Sequence, residues 1–90
     1  MVHETVTTLD SHTVLAQARA FFAERVPNQA AWPEKQGPSW MTLRGQGGEE
    51  IALSARAEGS VTRVRASTLL FDQSVARFLS TLPPAESSAA

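Results

Sequence analysis

Apolar residues along this chain follow two rhythms, and the changes from one to the other mark its elements. Val2 to Leu9 alternates, with Val2, Glu4, Val6 and Thr8 on one side and His3, Thr5, Thr7 and Leu9 on the other, the period of a strand rich in Val and Thr. Asp10-Ser11 then offers side-chain oxygens to the unpaired N–H groups of a helix start. Val14, Leu15, Ala18, Phe21, Phe22 and Val26 recur at three- and four-residue intervals along one stripe. Pro27 ends that helix, because a proline pushes the residue before it out of the α region. Neither rhythm fits residues 27–38, where Pro27, Pro33, Gly37 and Pro38 surround Trp32, and the stretch reads as a long loop.

Three short alternating runs follow, Ser39 to Arg44, Glu50 to Ala57 and Ser60 to Thr68, separated by Gly45-Gln46-Gly47-Gly48 and by Glu58-Gly59. They predict two hairpins. A two-residue loop at Glu58-Gly59 sets Ala57 opposite Ser60. Outward from there Ala55 meets Thr62, Leu53 meets Val64 and Ile51 meets Ala66, so one face is apolar but for Thr62. In the first hairpin a four-residue loop would mix the faces. A loop of three or five residues instead puts Arg44 opposite Glu50, Leu43 opposite Ile51 and Met41 opposite Leu53. Trp40, Thr42 and Arg44 then share the outer face with Glu50, Ala52, Ser54, Arg56, Val61, Arg63, Arg65 and Ser67. The last apolar stripe, Phe71, Val75, Phe78, Leu79 and Leu82, predicts a helix that starts between Leu70 and Asp72, has Ser67 or Thr68 available as a cap, and stops before Pro83.

The expected fold class is α+β, two-layer, in the order β-α-β-β-β-α, with a mainly antiparallel sheet and two helices packed on one face. Ninety residues are too few for two independent cores, so 1–82 reads as a single domain. Residues 83–90, small, polar and opened by two prolines, read as a disordered tail. This order of elements resembles a minimal helix-grip domain of the START and polyketide-cyclase-like superfamily, and is similar to a TATA-binding-protein-like layout to about the same degree. The likeness is one of layout, with no shared motif. It implies that the Val2 to Leu9 strand lies beside the Ser60 to Thr68 strand and that Phe71 to Leu82 crosses the concave face. Because that superfamily mostly encloses apolar ligands, it also implies a small apolar ligand held between the sheet, the C-terminal helix and the 27–38 loop.

Composition narrows the function classes without selecting one. Eight Lys and Arg against nine Asp and Glu give a net charge of -1, so no global field draws the molecule to nucleic acid or to an anionic membrane. With no cysteine there is no disulfide, no thiolate nucleophile and no Cys-type zinc site. No basic start with an apolar core marks the N-terminus, and no apolar run approaches the ~20 residues that span a bilayer, so a cytoplasmic location is expected. His3 and His12 lack metal-binding spacing and read as solvated surface histidines; no metal and no cofactor are expected. Glu49 and Glu50 point to opposite faces of a strand and make a poor acid–base pair. No nucleophile, base and orienting group can be named together, so no enzymatic activity is expected.

The most suggestive cluster is Arg44, Arg56, Arg63 and Arg65 with Trp40 on the outer face. Guanidinium and indole groups stack on bases and bind anions, yet they also anchor protein interfaces or simply pair with acids across strands. Because small domains gain stability by pairing, a small non-enzymatic interaction module acting as a homodimer is the main expectation. The apolar-ligand binder is the alternative, and anion or nucleic-acid binding by the outer arginines a weaker one. Trp32 is either a plug on the open end of the core or the lid of a small pocket. The candidate ligand or interface residues are therefore Trp32, Trp40, Arg44, Arg63 and Arg65.

Overall fold

The computed structural model describes residues 2–24, 31–45, 47–69 and 71–84. Its elements are β1 (Val2–Thr7), α1 (Ser11–Glu24), β2 (Ala31–Gln36), β3 (Trp40–Gly45), β4 (Glu50–Glu58), β5 (Val61–Thr68) and α2 (Asp72–Ser80). The five strands form one open sheet in the order β1-β5-β4-β3-β2, and every neighbouring pair is antiparallel. Both helices cover the same face, which makes the fold the expected two-layer α+β arrangement with one strand more than the sequence pattern predicts.

That extra strand replaces the long loop read at 27–38. Pro33 has no N–H to give a ladder, which argues against a strand in the middle of a sheet but not at its edge. β2 is an edge strand, and its register against β3 slips between Pro33 and Lys35, so that Glu34 bulges out. Residues 25–30, with Val26 and the Pro27 helix stop, lie outside the described residues.

α1 begins as expected. The Asp10 carboxylate accepts the Thr13 N–H at 2.7 Å, and the Asp10 carbonyl accepts the Val14 N–H at 3.0 Å. Hydrogen bonding from the Thr13 side chain, and then from its backbone N–H, holds the Asp10 carboxyl below its ordinary pKa. Val14, Leu15, Ala18, Phe21 and Phe22 are its buried stripe. α2 is shorter than the pattern predicts and has no side-chain cap. The Thr68 hydroxyl instead accepts the N–H of Phe71, one residue before the helix, at 3.1 Å.

The two hairpins divide the register predictions. In the first, Arg44 faces Glu50, Leu43 faces Ile51, Met41 faces Leu53 and Trp40 faces Ser54, as the odd loop requires. In the second, Ala57 faces Thr62, Ala55 faces Val64, Leu53 faces Ala66 and Ile51 faces Thr68, a slip of two positions from the expected pairs. The turn residues are Gly59 and Ser60 rather than Glu58 and Gly59. Gly59 has φ of +65°, which a tight hairpin turn accepts at its first central position as well as its second, so a lone glycine fits either turn. A slip of two restores every side chain to its original face, so the partition of inner and outer residues survives the correction.

β1 pairs with β5 and brings His3, Thr5 and Thr7 to the inner face, opposite Ala66, Val64 and Thr62. The inner layer is one continuous cluster: Met41, Leu43, Ile51, Leu53, Ala55, Val64 and Ala66 from the sheet meet Val14, Phe22, Val75 and Phe78 from the helices. Phe21, Phe22 and Phe78 form a triangle of rings, with centroids 5.2 to 5.7 Å apart and tilted or edge-on contacts. The described start of the expected tail is tied down. The Thr7 hydroxyl donates to the Pro83 carbonyl at 2.6 Å, and Thr7 and Pro84 form a β-bridge. Residues 85–90 of that expected tail lie outside the described residues.

Candidate functional site

The face of the sheet opposite the helices gathers all five candidate residues. Alternation sends Val2, Glu4 and Val6 of β1 outward, with Ser67, Arg65, Arg63 and Val61 of β5, then Glu50, Ala52, Ser54 and Arg56 of β4, and Trp40, Thr42 and Arg44 of β3. In β2, Trp32 lies opposite Arg44 and Lys35 opposite Thr42. Trp32 is therefore neither plug nor lid; it stands on the outer face of an edge strand and is 45% exposed. Trp40, at 41% exposure, lies across the backbone of Gly37, where any added side chain would overlap the indole.

Arginines on this face divide into two kinds. Arg44 Nε and Nη2 donate to the Glu34 carboxylate at 2.9 to 3.1 Å, Nη1 donates to the Gly48 carbonyl at 2.8 Å, and Glu50 lies 3.8 Å away. Arg63 Nε donates to Glu58 at 3.0 to 3.1 Å, with Glu4 at 3.8 Å. The carboxylates of Glu34 and Glu58 push the pKa values of Arg44 and Arg63 upward, and the Arg44 hydrogen bonds lower that of Glu34. Arg56 and Arg65, by contrast, make no side-chain hydrogen bond or ion pair among the described residues. Arg56 faces Arg63 directly across the β4–β5 ladder.

Between Trp40 and Arg65 the small residues Ala52 and Ser54 leave a shallow groove of about 240 Å³, with Ser67 at its end. Thr42, on the same face, has a buried hydroxyl oxygen without a hydrogen-bond partner. Sequence reasoning left Glu34 and Lys35 in a loop and Glu58 in a turn. Ala31-Trp32-Pro33-Glu34-Lys35 carries no polar-apolar alternation, and Pro33 reads as a breaker, so nothing local marks the strand.

Elsewhere the chemistry is sparse. His3 is not the solvated residue expected: it faces the helical layer, and its Nε2 lies 2.8 Å from Asp72 Oδ1 at the start of α2. That bond lowers the Asp72 carboxyl pKa. His12 is exposed, as expected. A second groove, of about 380 Å³, runs between the helices beside Gln17, Phe21, Phe78 and Thr81. Among the described residues no group of three or more His, Cys, Asp or Glu could hold a metal, and no helix is long and apolar enough to cross a membrane. The outer face stands without a precedent to lean on, for the chain matches no protein-family model, no curated protein and no solved structure.

Proposed function

We propose that this protein is a small non-enzymatic interaction module of the cytoplasm that works as a homodimer, paired through the outer face of its sheet. The observation that carries the reading is the one-sided cover: both helices lie on one face, and the two tryptophans stand half-exposed on the other. Val2, Val6, Ala52 and Val61 extend this apolar surface between the charges. Tryptophan and arginine are the side chains that most often anchor interfaces. Five strands at about 4.8 Å spacing, each running about 20 Å, make a face of roughly 500 Å² before side-chain relief. That approaches the ~800 Å² per partner of a standard interface.

Charge supports a copy of the same chain as the occupant. Arg44 and Arg63 are each engaged by carboxylates of their own face, so the surface carries both signs and does not repel its own image. The same pairing weakens the anion or nucleic-acid reading, which needs those guanidinium groups free. The apolar-ligand alternative has little room, because Met41, Phe22, Val75 and Phe78 fill the layer between sheet and helices. A cytoplasmic location rests on the absence of cysteine, which suits a reducing compartment. Light scattering coupled to gel filtration is the direct test: the expected mass is twice that of the chain. A single-chain mass at every concentration reached would overturn the reading.

A further inference from the structure

β4 is the middle strand of five, and its outward side chains run Glu50, Ala52, Ser54, Arg56, Glu58. The two small residues lie between an acid, Glu50, and a base, Arg56, with Glu58 beyond at the hairpin turn and bound to Arg63. Neither Glu50 nor Arg56 is well satisfied among the described residues. The guanidinium that Glu50 approaches at 3.8 Å is already bound closely by Glu34. Arg56 has no acidic partner among the described residues and stands opposite Arg63, an arrangement that like charges disfavour.

We infer that two copies pack sheet to sheet about a two-fold axis that lies in the interface and crosses β4 at right angles between Ala52 and Ser54, so that Arg56 of each copy meets Glu50 of the other. The inference rests on the homodimer proposed above and adds its geometry. A two-fold across the strands reverses the order of positions along β4, placing 56 over 50 and 54 over 52. An axis running along β4 would instead set Arg56 against Arg56 and Glu50 against Glu50, two repulsive contacts in place of two attractive ones. Packed sheets lie about 10 Å apart with their strands within about 30° of each other, a gap that an arginine and a glutamate span end to end. At the centre, Ala52 and Ser54 leave the space of the 240 Å³ groove. Along β3 the same operation brings Trp40 over the partner's Thr42 and sets the two indoles side by side beside that space. The charged groups around the proposed contact are Arg44 and Glu34 next to Glu50, Arg63 and Glu58 next to Arg56, and Arg65 and Glu4 one row inward. Of these, only Arg65 lacks an acidic partner among the described residues.

Dimer dissociation constants from sedimentation test the arrangement, with thermal melts confirming that each variant folds. Arg56→Glu and Glu50→Arg should each raise Kd by about tenfold or more, since each sets two like-charged pairs across the interface. The double variant, with the charges exchanged, should return close to the original value. Arg56→Ala separates the two axes: it weakens the dimer proposed here and would tighten one whose axis runs along β4. A chain that still dimerises but shows no rescue in the double variant, or tightens on Arg56→Ala, overturns this geometry and leaves the homodimer standing. A chain that is monomeric without substitution overturns the homodimer itself.

Discussion

Along β4 the inward positions Ile51, Leu53 and Ala55 are almost wholly buried, while Glu50, Ala52, Ser54 and Arg56 alternate with them on the opposite face. The inner face meets two helices and is filled by aliphatic and aromatic groups, each contributing ~1.5–3 kcal/mol when fully removed from water. The outer face mixes small residues, two tryptophans and paired charges, and its exposed ion pairs contribute little to folding. The difference teaches that one sheet can divide its labour: the inner face makes the chain fold, and the outer face is left to decide what the folded chain meets.

The sharpest way to break that division is to truncate each face in turn. Phe78→Ala removes one ring of the Phe21–Phe22–Phe78 triangle and should cost about 3–5 kcal/mol of folding stability, read from urea denaturation. A much smaller loss would mean that the helices are not seated on the sheet as described. Trp40→Ala should leave the urea midpoint of the dilute monomer near its original value while weakening association by ~2 kcal/mol, about thirtyfold in Kd by sedimentation. A loss of folding instead of association would erase the distinction between the faces. Gly59→Ala probes the corner that assigns residues to faces. The space around Gly59 is open, so only the positive φ opposes a side chain, and the expected loss is ~1 kcal/mol in the same denaturation experiment.

The smallest expected effect concerns a hydrogen-bonded contact on the helical side, between His3 and Asp72. The hydrogen bond from His3 holds the Asp72 carboxyl below its ordinary pKa. It therefore contributes stability that is present above that ordinary value and is lost as pH falls through the lowered one. Asp72→Asn should flatten this acid limb of the melting temperature against pH and leave the neutral region little changed. An acid limb identical to that of the parent chain would show that the contact is not maintained in solution.

What was legible in the sequence was mostly a matter of parity. Which of Ile51 and Ala52 faces inward follows from alternation, and so Trp40, Arg44, Arg63 and Arg65 could be assigned to the outer face before any coordinates. Register demanded more, because a lone glycine in the second turn suits two adjacent reversals that differ by two positions and leave the faces unchanged. β2 was hidden because Pro33 reads as a breaker unless the strand is known to be an edge, and edge position is a property of the whole sheet. With β2 went Trp32 and Glu34, and with them the acid that engages Arg44. The contact between His3 and Asp72 joins residues 69 positions apart, and nothing local in either segment announces it.

The kinked margin formed by Pro33 and the bulge at Glu34 bears on how far assembly can go. A rim that cannot donate at one site and bends out of register at the next is a poor template for a further chain adding edge to edge. Lys35, a charge on that same rim, adds to the obstruction. Lateral growth is disfavoured on this side, so a pair joined across its broad faces would offer a further chain one fewer edge to add to.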